Sequence, residues 1–180
     1  AKPLANSVDR TPIEVSEHAA NLTQRALVWD MTLPWVPGYA GNEILPRFHA
    51  AGINVVSLTV GAREGSDFAS TVRWIAKCTH EINANTKTMS VCRSVADIDR
   101  AIKAGRLALI YNLQETMFFD GGIELVEFFY ELGVRHALLA YNVKNAVGDG
   151  CAERTDAGLS RWGIEIIREM NRVGMLICGT

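Results

Sequence analysis

Apolar residues in this chain fall into short, nearly continuous runs separated by longer segments of helical period. The runs are Ala26 to Trp29, Val55 to Leu58, Leu107 to Ile110, Ala137 to Ala140 and Met175 to Cys178, with a further short one at Met89 to Cys92. Strands covered on both faces look this way, whereas half-exposed antiparallel strands alternate, so the runs predict a parallel sheet with helical crossovers. Between the runs, Ser94 is a good helix N-cap with Asp97 three residues on, and Val95, Ile98 and Ile102 recur at helical spacing. The last helix has Ser160 as its cap. Leu159, Trp162, Ile166, Ile167, Met170 and Val173 form one stripe, with Arg161, Glu165, Arg168, Glu169 and Arg172 opposite. Both segments predict helices docked on one face of a sheet.

The joints repeat. Ala51-Gly52, Ala104-Gly105, Leu132-Gly133 and Val173-Gly174 each stand between a helical segment and an apolar run. Glycine just past a helix supplies the left-handed backbone that ends it and lets the next strand begin at once. Five βα steps of this kind fit an open doubly wound sheet or the first five-eighths of a (β/α)8 barrel. Ahead of them, residues 1–25 read as a lead segment, with a short helix starting near Pro12.

Composition narrows the function classes. A chain of 180 residues with 48% hydrophobic and 21% charged residues can bury one good core. A net charge of −2 offers no global attraction to nucleic acid or an anionic membrane, so neither is expected as a partner. No apolar run is long enough to span a bilayer, and the start of the chain lacks the apolar core of a signal peptide. The first residue, Ala1, fits excision of an initiator methionine or removal of a leader. Cys78, Cys92, Cys151 and Cys178 are scattered and form no CxxC pair, which predicts buried or partly buried free thiols rather than disulfides. A cytoplasmic location is the expectation, with a periplasmic or secreted one as the alternative.

Candidate chemistry gathers just beyond the carboxyl ends of the runs, where either fold would place a site. Asp30, Thr32 and Trp35 follow the first run, Thr59 the second, Asn112, Gln114 and Glu115 the third, Tyr141, Asn142 and Asn145 the fourth, and Thr180 the fifth. A loop of small and polar residues, Gly148 to Asp156, could wall a cleft or serve as a structured crossover. The four histidines read as structural or exposed. His18 lies in the lead segment, His49 and His80 in helical stretches, and His136 at the start of the fourth run, away from the candidate site. No HExxH or other compact zinc signature is present.

Several ordered matches carry a family resemblance. Tyr141-Asn142 through Asn145, Gly148-Asp149-Gly150-Cys151, Glu153-Arg154, Gly158-Leu159-Ser160, Gly163 and Glu169 to Met175 resemble the membrane (renal) dipeptidase family of zinc peptidases, particularly its bacterial branch. Leu109 to Gln114 resembles that family's third-strand motif, and Ala96-Asp97-Ile98 with Ala101 and Gly105 resembles the helix before it. The likeness runs from Leu27 to Thr180 and is weakest between Val36 and Lys87. It implies a TIM-type (β/α)8 barrel of the metal-dependent hydrolase superfamily, of which residues 26–180 would form about the first five βα units. It also implies two zinc ions, which would activate a hydroxide and polarise the scissile carbonyl.

The same alignment places substitutions at the family's ligand positions. Aligned on Leu33-Pro34-Trp35, Asp30 and Thr32 stand in the places of a His-x-Asp pair. Aligned on the strand end, Asp30 is the non-ligand residue before that pair. Gln114 stands where the family has its bridging Glu, and Glu115 points to the opposite side of an extended strand. Cys178-Gly179-Thr180 replaces the Asp, apolar residue and Ser that precede a ligand His. Tyr141, followed by Asn142, occupies the place of a substrate-touching His and can donate one hydrogen bond to an oxyanion. The resemblance thus implies a dipeptidase-like hydrolase acting on a dipeptide or related small amide, as the N-terminal portion of a longer chain. The 180 residues alone are expected to be inactive. The alternative is a non-catalytic binding or assembly protein that has lost the zinc site. A barrel stopped after five strands leaves two open edges, which a homodimer or a complementing C-terminal portion would cover.

Overall fold

The computed structural model describes residues 14–34, 44–61 and 67–180. Helix α1 (Glu17–Arg25) leads, capped by Ser16, whose Oγ accepts from the Ala19 amide at 3.2 Å. It buries none of its residues. The expected start at Pro12 lies outside the described residues. Then follow β1 (Trp29–Pro34), α2 (Ile44–Ala50), β2 (Val55–Gly61), α3 (Phe68–Asn83), β3 (Met89–Val91) and α4 (Val95–Lys103). The chain continues through β4 (Leu107–Leu113), a short 3-10 turn (Met117–Phe119), α5 (Glu124–Glu131), β5 (Val134–Leu138), α6 (Arg161–Val173) and β6 (Leu176–Cys178).

The predicted caps and joints are present. Ser94 Oγ accepts from the Asp97 amide at 3.2 Å while the Asp97 carboxylate accepts from the Arg93 amide at 3.0 Å. Ser160 Oγ accepts from the Gly163 amide at 2.9 Å. Gly52, Gly105, Gly133 and Gly174 all have positive φ, at 91, 65, 109 and 87°.

The strands are parallel, in the lateral order β1-β2-β4-β5-β6 with β3 also paired to β4. Apart from β3, strand order follows chain order, which is the order of a barrel wall. A doubly wound sheet would reverse at a switch point, so the open-sheet alternative falls. Strand β2 runs along one edge of β4 from Ala108 to Leu113. On the other edge β3 takes Leu107 to Leu109 and β5 takes the part from Tyr111 onward.

That arrangement determines where the helices go. Val56, Leu58 and Val60 of β2 and Leu107, Leu109, Tyr111 and Leu113 of β4 pack with α3, α5 and α6 in one core. Val55, Ala108 and Ile110 face the other way and pack with Ile98 and Ala101 of α4, together with Cys92 and Trp29. Helices α4 and α6 therefore cover opposite faces. Seen from β2, β3 lies beyond β4, so the right-handed return from β3 to β4 puts α4 on the inner face.

The first strand departs from expectation. The apolar run Ala26 to Trp29 ends where β1 begins, and the strand continues to Pro34. A register shift between Asp30 and Leu33 lets it stay paired with β2 as far as Pro34 opposite Thr59. Among the described residues β1 pairs with β2 alone and β6 with β5 alone, and Leu176 on β6 is 63% exposed. The cysteines are free as expected. Cys78 and Cys92 are buried and Cys178 half-buried, but Cys151 is exposed. Burial pushes the Cys78 thiol up to about 12. No helix among the described residues is long and apolar enough to cross a membrane.

Candidate functional site

The inner face changes character along the strands. At its start Val55 and Ala108 are apolar and lie under α4. One step on, Ser57 sits beside Ile110, then Thr59 beside Asn112, which in turn pairs with His136 of β5. These polar residues are tied to one another. Thr59 Oγ1 donates to Asn112 Oδ1 at 3.0 Å, and Asn112 Nδ2 donates to the Ser57 carbonyl at 3.0 Å. Ser57 Oγ and His136 Nε2 share a hydrogen bond at 2.5 Å. All four residues are buried, so the layer is a floor beneath the mouth of the barrel, with its polar atoms paired inward.

His136 was placed by its sequence position at the wrong end of a strand. It is the third residue of β5, and its ring belongs to the inner polar layer. Alternation could not have found it, because a register shift between β4 and β5 puts Val134 and Ala137, three residues apart, both in the helix-side core and turns His136 the other way. Burial lowers its pKa. The unfolded chain therefore takes up the proton first as pH falls, and stability is lost from about pH 6.5 downward until the folded-state pKa is reached. Melting temperature should drop between pH 7.5 and 5, and His136→Gln should flatten that part of the profile. An unchanged slope in the variant would refute the assignment.

The expected ligand positions do not come together. Asp30 pairs with Val56 and so shares the helix-side face of β2's neighbour, while Trp29 takes the inner face. Asp30 Oδ1 accepts from the Thr32 amide at 3.0 Å, and the Thr32 hydroxyl donates to the Met31 carbonyl at 2.7 Å. Gln114 is half-buried just past β4, its amide bonded to the Gly61 carbonyl at 2.7 Å. A carboxylate turned to the other face, a hydroxyl and a neutral amide do not fit a site for two zinc ions bridged by a carboxylate. Among the described residues no group of three or more His, Cys, Asp or Glu is placed to hold a metal. Trp35 lies outside the described residues. Thr180 is exposed, its hydroxyl 3.0 Å from Cys178 Sγ.

The other candidates form a second assembly at the rim. Glu115 is buried, and its carboxylate accepts from the Tyr141 amide at 3.0 Å and from Asn145 Nδ2 at 2.8 Å. Tyr141 and Asn142 have exposed side chains on an ordered backbone, their carbonyls accepting from Cys151 and Ala152 at 2.9 and 2.8 Å. The loop after Tyr141 is a structured crossover. Asp149 bridges it through the Ala157 amide at 2.9 Å and Lys144 at 3.1 Å, contacts that hold its carboxyl below the usual range. A separate open apolar groove of about 440 Å³ lies at the starts of α3 and α5, lined by Asp67, Phe68, Met117, Phe118, Gly121 and Leu125. It includes none of the residues singled out above.

Known proteins extend the picture. Residues 42–178 match the family described as membrane dipeptidase, peptidase family M19. An uncharacterised dipeptidase of Schizosaccharomyces pombe is 46% identical over 59 residues, covering 32% of this chain and 14% of that protein. A solved amidohydrolase from Pseudomonas aeruginosa is 34% identical with a TM-score of 0.80, over 88% of this chain and 47% of that one. A metallopeptidase from Rhodobacter sphaeroides, solved with a phosphinate mimic of the dipeptide L-Ala-D-Ala, shares the fold at 14% identity and a TM-score of 0.69, over 84% of this chain and 57% of that one. This chain thus spans about half the length of these solved relatives, and its curled parallel wall matches that share of their fold. With that match over most of its length, the chain belongs to the membrane dipeptidase family.

Proposed function

We propose that the protein recognises a dipeptide or related small amide at the carboxyl end of its strands and, with the remainder of the barrel present, hydrolyses it. The observation that carries this reading is the rim at Tyr141 and Asn142. Two exposed polar side chains stand there on a backbone held by hydrogen bonds on both sides, above a satisfied polar floor. Tyr141 would donate its hydroxyl to the oxyanion that forms as the amide is attacked, and Asn142 would bind the backbone of the substrate. The open edges at β1 and β6 would be covered by the complementing portion of the barrel, or by a second copy. The family's activity supports hydrolysis, and the donor set at Asp30, Thr32 and Gln114 assigns no metal-borne step to this half.

That donor set favours a second reading, in which the protein binds the dipeptide without cleaving it. Metal analysis of the full-length protein, together with binding and turnover of L-Ala-D-Ala, separates the two. Stoichiometric zinc with turnover establishes the hydrolase. Binding without zinc or turnover establishes the non-catalytic relative. Absence of both binding and turnover for this and other dipeptides would reject the proposed substrate class.

A further inference from the structure

We infer that Glu115 is a positioning residue that holds Tyr141 and Asn142 in place for substrate, an assignment that rests on the dipeptide-site reading above. Glu115 is 8% exposed, and the ion pairs among the described residues do not include it. A carboxylate taken out of water without a cation is expensive unless its oxygens are satisfied. Here each oxygen has one donor, the Tyr141 amide on Oε1 and Asn145 Nδ2 on Oε2.

Asn145 passes the constraint onward. Its Nδ2 also donates to the Leu139 carbonyl at 2.8 Å, and its Oδ1 accepts from the Val147 and Gly148 amides at 2.8 and 3.1 Å. Both ends of this amide are therefore committed, and it cannot turn over. A glutamine at position 115 would still accept from Tyr141, but its own amide hydrogens would face those of Asn145. An acceptor with two oxygens satisfies both donors, and a carboxylate supplies it where a neutral amide does not.

The loop closes on the same two residues from the other side. A Cβ added at Gly150 would lie 2.5 Å from the Asn142 carbonyl carbon and 2.6 Å from the Val143 nitrogen. The segment that supplies the Cys151 and Ala152 amides thus crosses directly against Tyr141 and Asn142. Backbone position at the rim is set by Glu115 below and this crossing above, while the Tyr141 ring remains 44% exposed.

The test is Glu115→Gln in the full chain, read by hydrogen–deuterium exchange and by L-Ala-D-Ala binding and turnover. Loss of one charge-assisted bond and creation of a donor–donor contact should speed exchange over residues 141–152 about tenfold and raise KM or Kd about tenfold. Exchange in β2 and β4 should be unchanged, and kcat, if there is turnover, should fall as well, because Tyr141 would act on the oxyanion that forms only as the amide is attacked. Asn145→Asp, which turns the contacts of Nδ2 with Glu115 and with the Leu139 carbonyl into oxygen–oxygen contacts, should speed exchange over the same residues. It also serves if the Glu115 variant folds poorly. Unchanged exchange at 141–152 in Glu115→Gln, or faster exchange with unaltered affinity, would overturn the proposal. So would unchanged exchange at 141–152 in Asn145→Asp. If the wild-type protein binds no dipeptide, the dipeptide-site reading fails and takes the substrate role with it, while the exchange data still report whether Glu115 orders the rim.

Discussion

Phe129→Ala is expected to cost about 3–5 kcal/mol of folding stability, a large part of what a domain of this size has to lose. Phe129 is fully buried on α5 and is the common member of an aromatic cluster. Its ring centroid lies 5.7 Å from Phe68 of α3, 6.2 and 5.8 Å from Phe118 and Phe119 of the 3-10 turn, and 5.7 Å from Phe128. The edge-on arrangement with Phe68 and Phe128 adds a directional contribution to the burial. Truncation would leave a cavity among four rings that belong to three different elements, so the walls cannot close in without moving a helix. Phe128→Ala is the matched control, because that ring is 39% exposed and should cost about 1 kcal/mol or less. Denaturant midpoints at constant m-value would check both. Equal losses in the two variants would mean that the cluster does not have its centre at Phe129.

The second large effect is expected at the floor of the barrel mouth. Asn112→Ala removes the acceptor for the Thr59 hydroxyl and the donor to the Ser57 carbonyl, where Thr59 is 3% and Ser57 0% exposed. With no water to replace them, the two orphaned groups should cost about 2–4 kcal/mol together. Pairing the change with Thr59→Val, as Asn112→Leu/Thr59→Val, removes one of the two orphans and should lose less than Asn112→Leu alone. If the double variant is the weaker protein, the polar layer is not held by this hydrogen bond. Either variant bears on function through the same atoms, because the layer supports the strand end from which Gln114 and Glu115 continue.

Much of the architecture could be read from residue patterns, for physical reasons that differ by element. Strand β4 is buried on both faces, so its apolar run marks its start at Leu107, while the strand continues past Ile110 through Tyr111 and Asn112 to Leu113. Helices α4 and α6 carry side-chain caps, which are local and therefore visible in the chain. Strand β1 was misplaced because it is an edge strand. Its outer half is half-exposed and interrupted by a bulge, so Asp30 to Pro34 lacks the continuous apolar signature. The face taken by α4 was not legible at all, since an amphipathic stripe says that a helix docks but not where. That depends on β3 passing to the far edge of β4, a pairing between segments remote in sequence. The site divides in the same way. Tyr141 and Asn142 were found by their position after a strand, and Glu115 by its neighbour, but the closure of Glu115 onto Asn145 spans 30 residues and leaves no periodic trace. His136 reads from sequence as structural or exposed, and its buried ring, bonded to Ser57, is structural; its depth was not legible because a register shift against β4 carries it into the inner layer.

Helix α4, lying against Val55, Ala108 and Ile110, has a directional consequence. It covers the inner face of the sheet where the strands begin, so in the dipeptide-site reading a ligand would approach from the end where the loops carry Tyr141 and Asn142. On that reading, the residence time of a bound dipeptide would be governed by the mobility of that rim rather than by passage past α4.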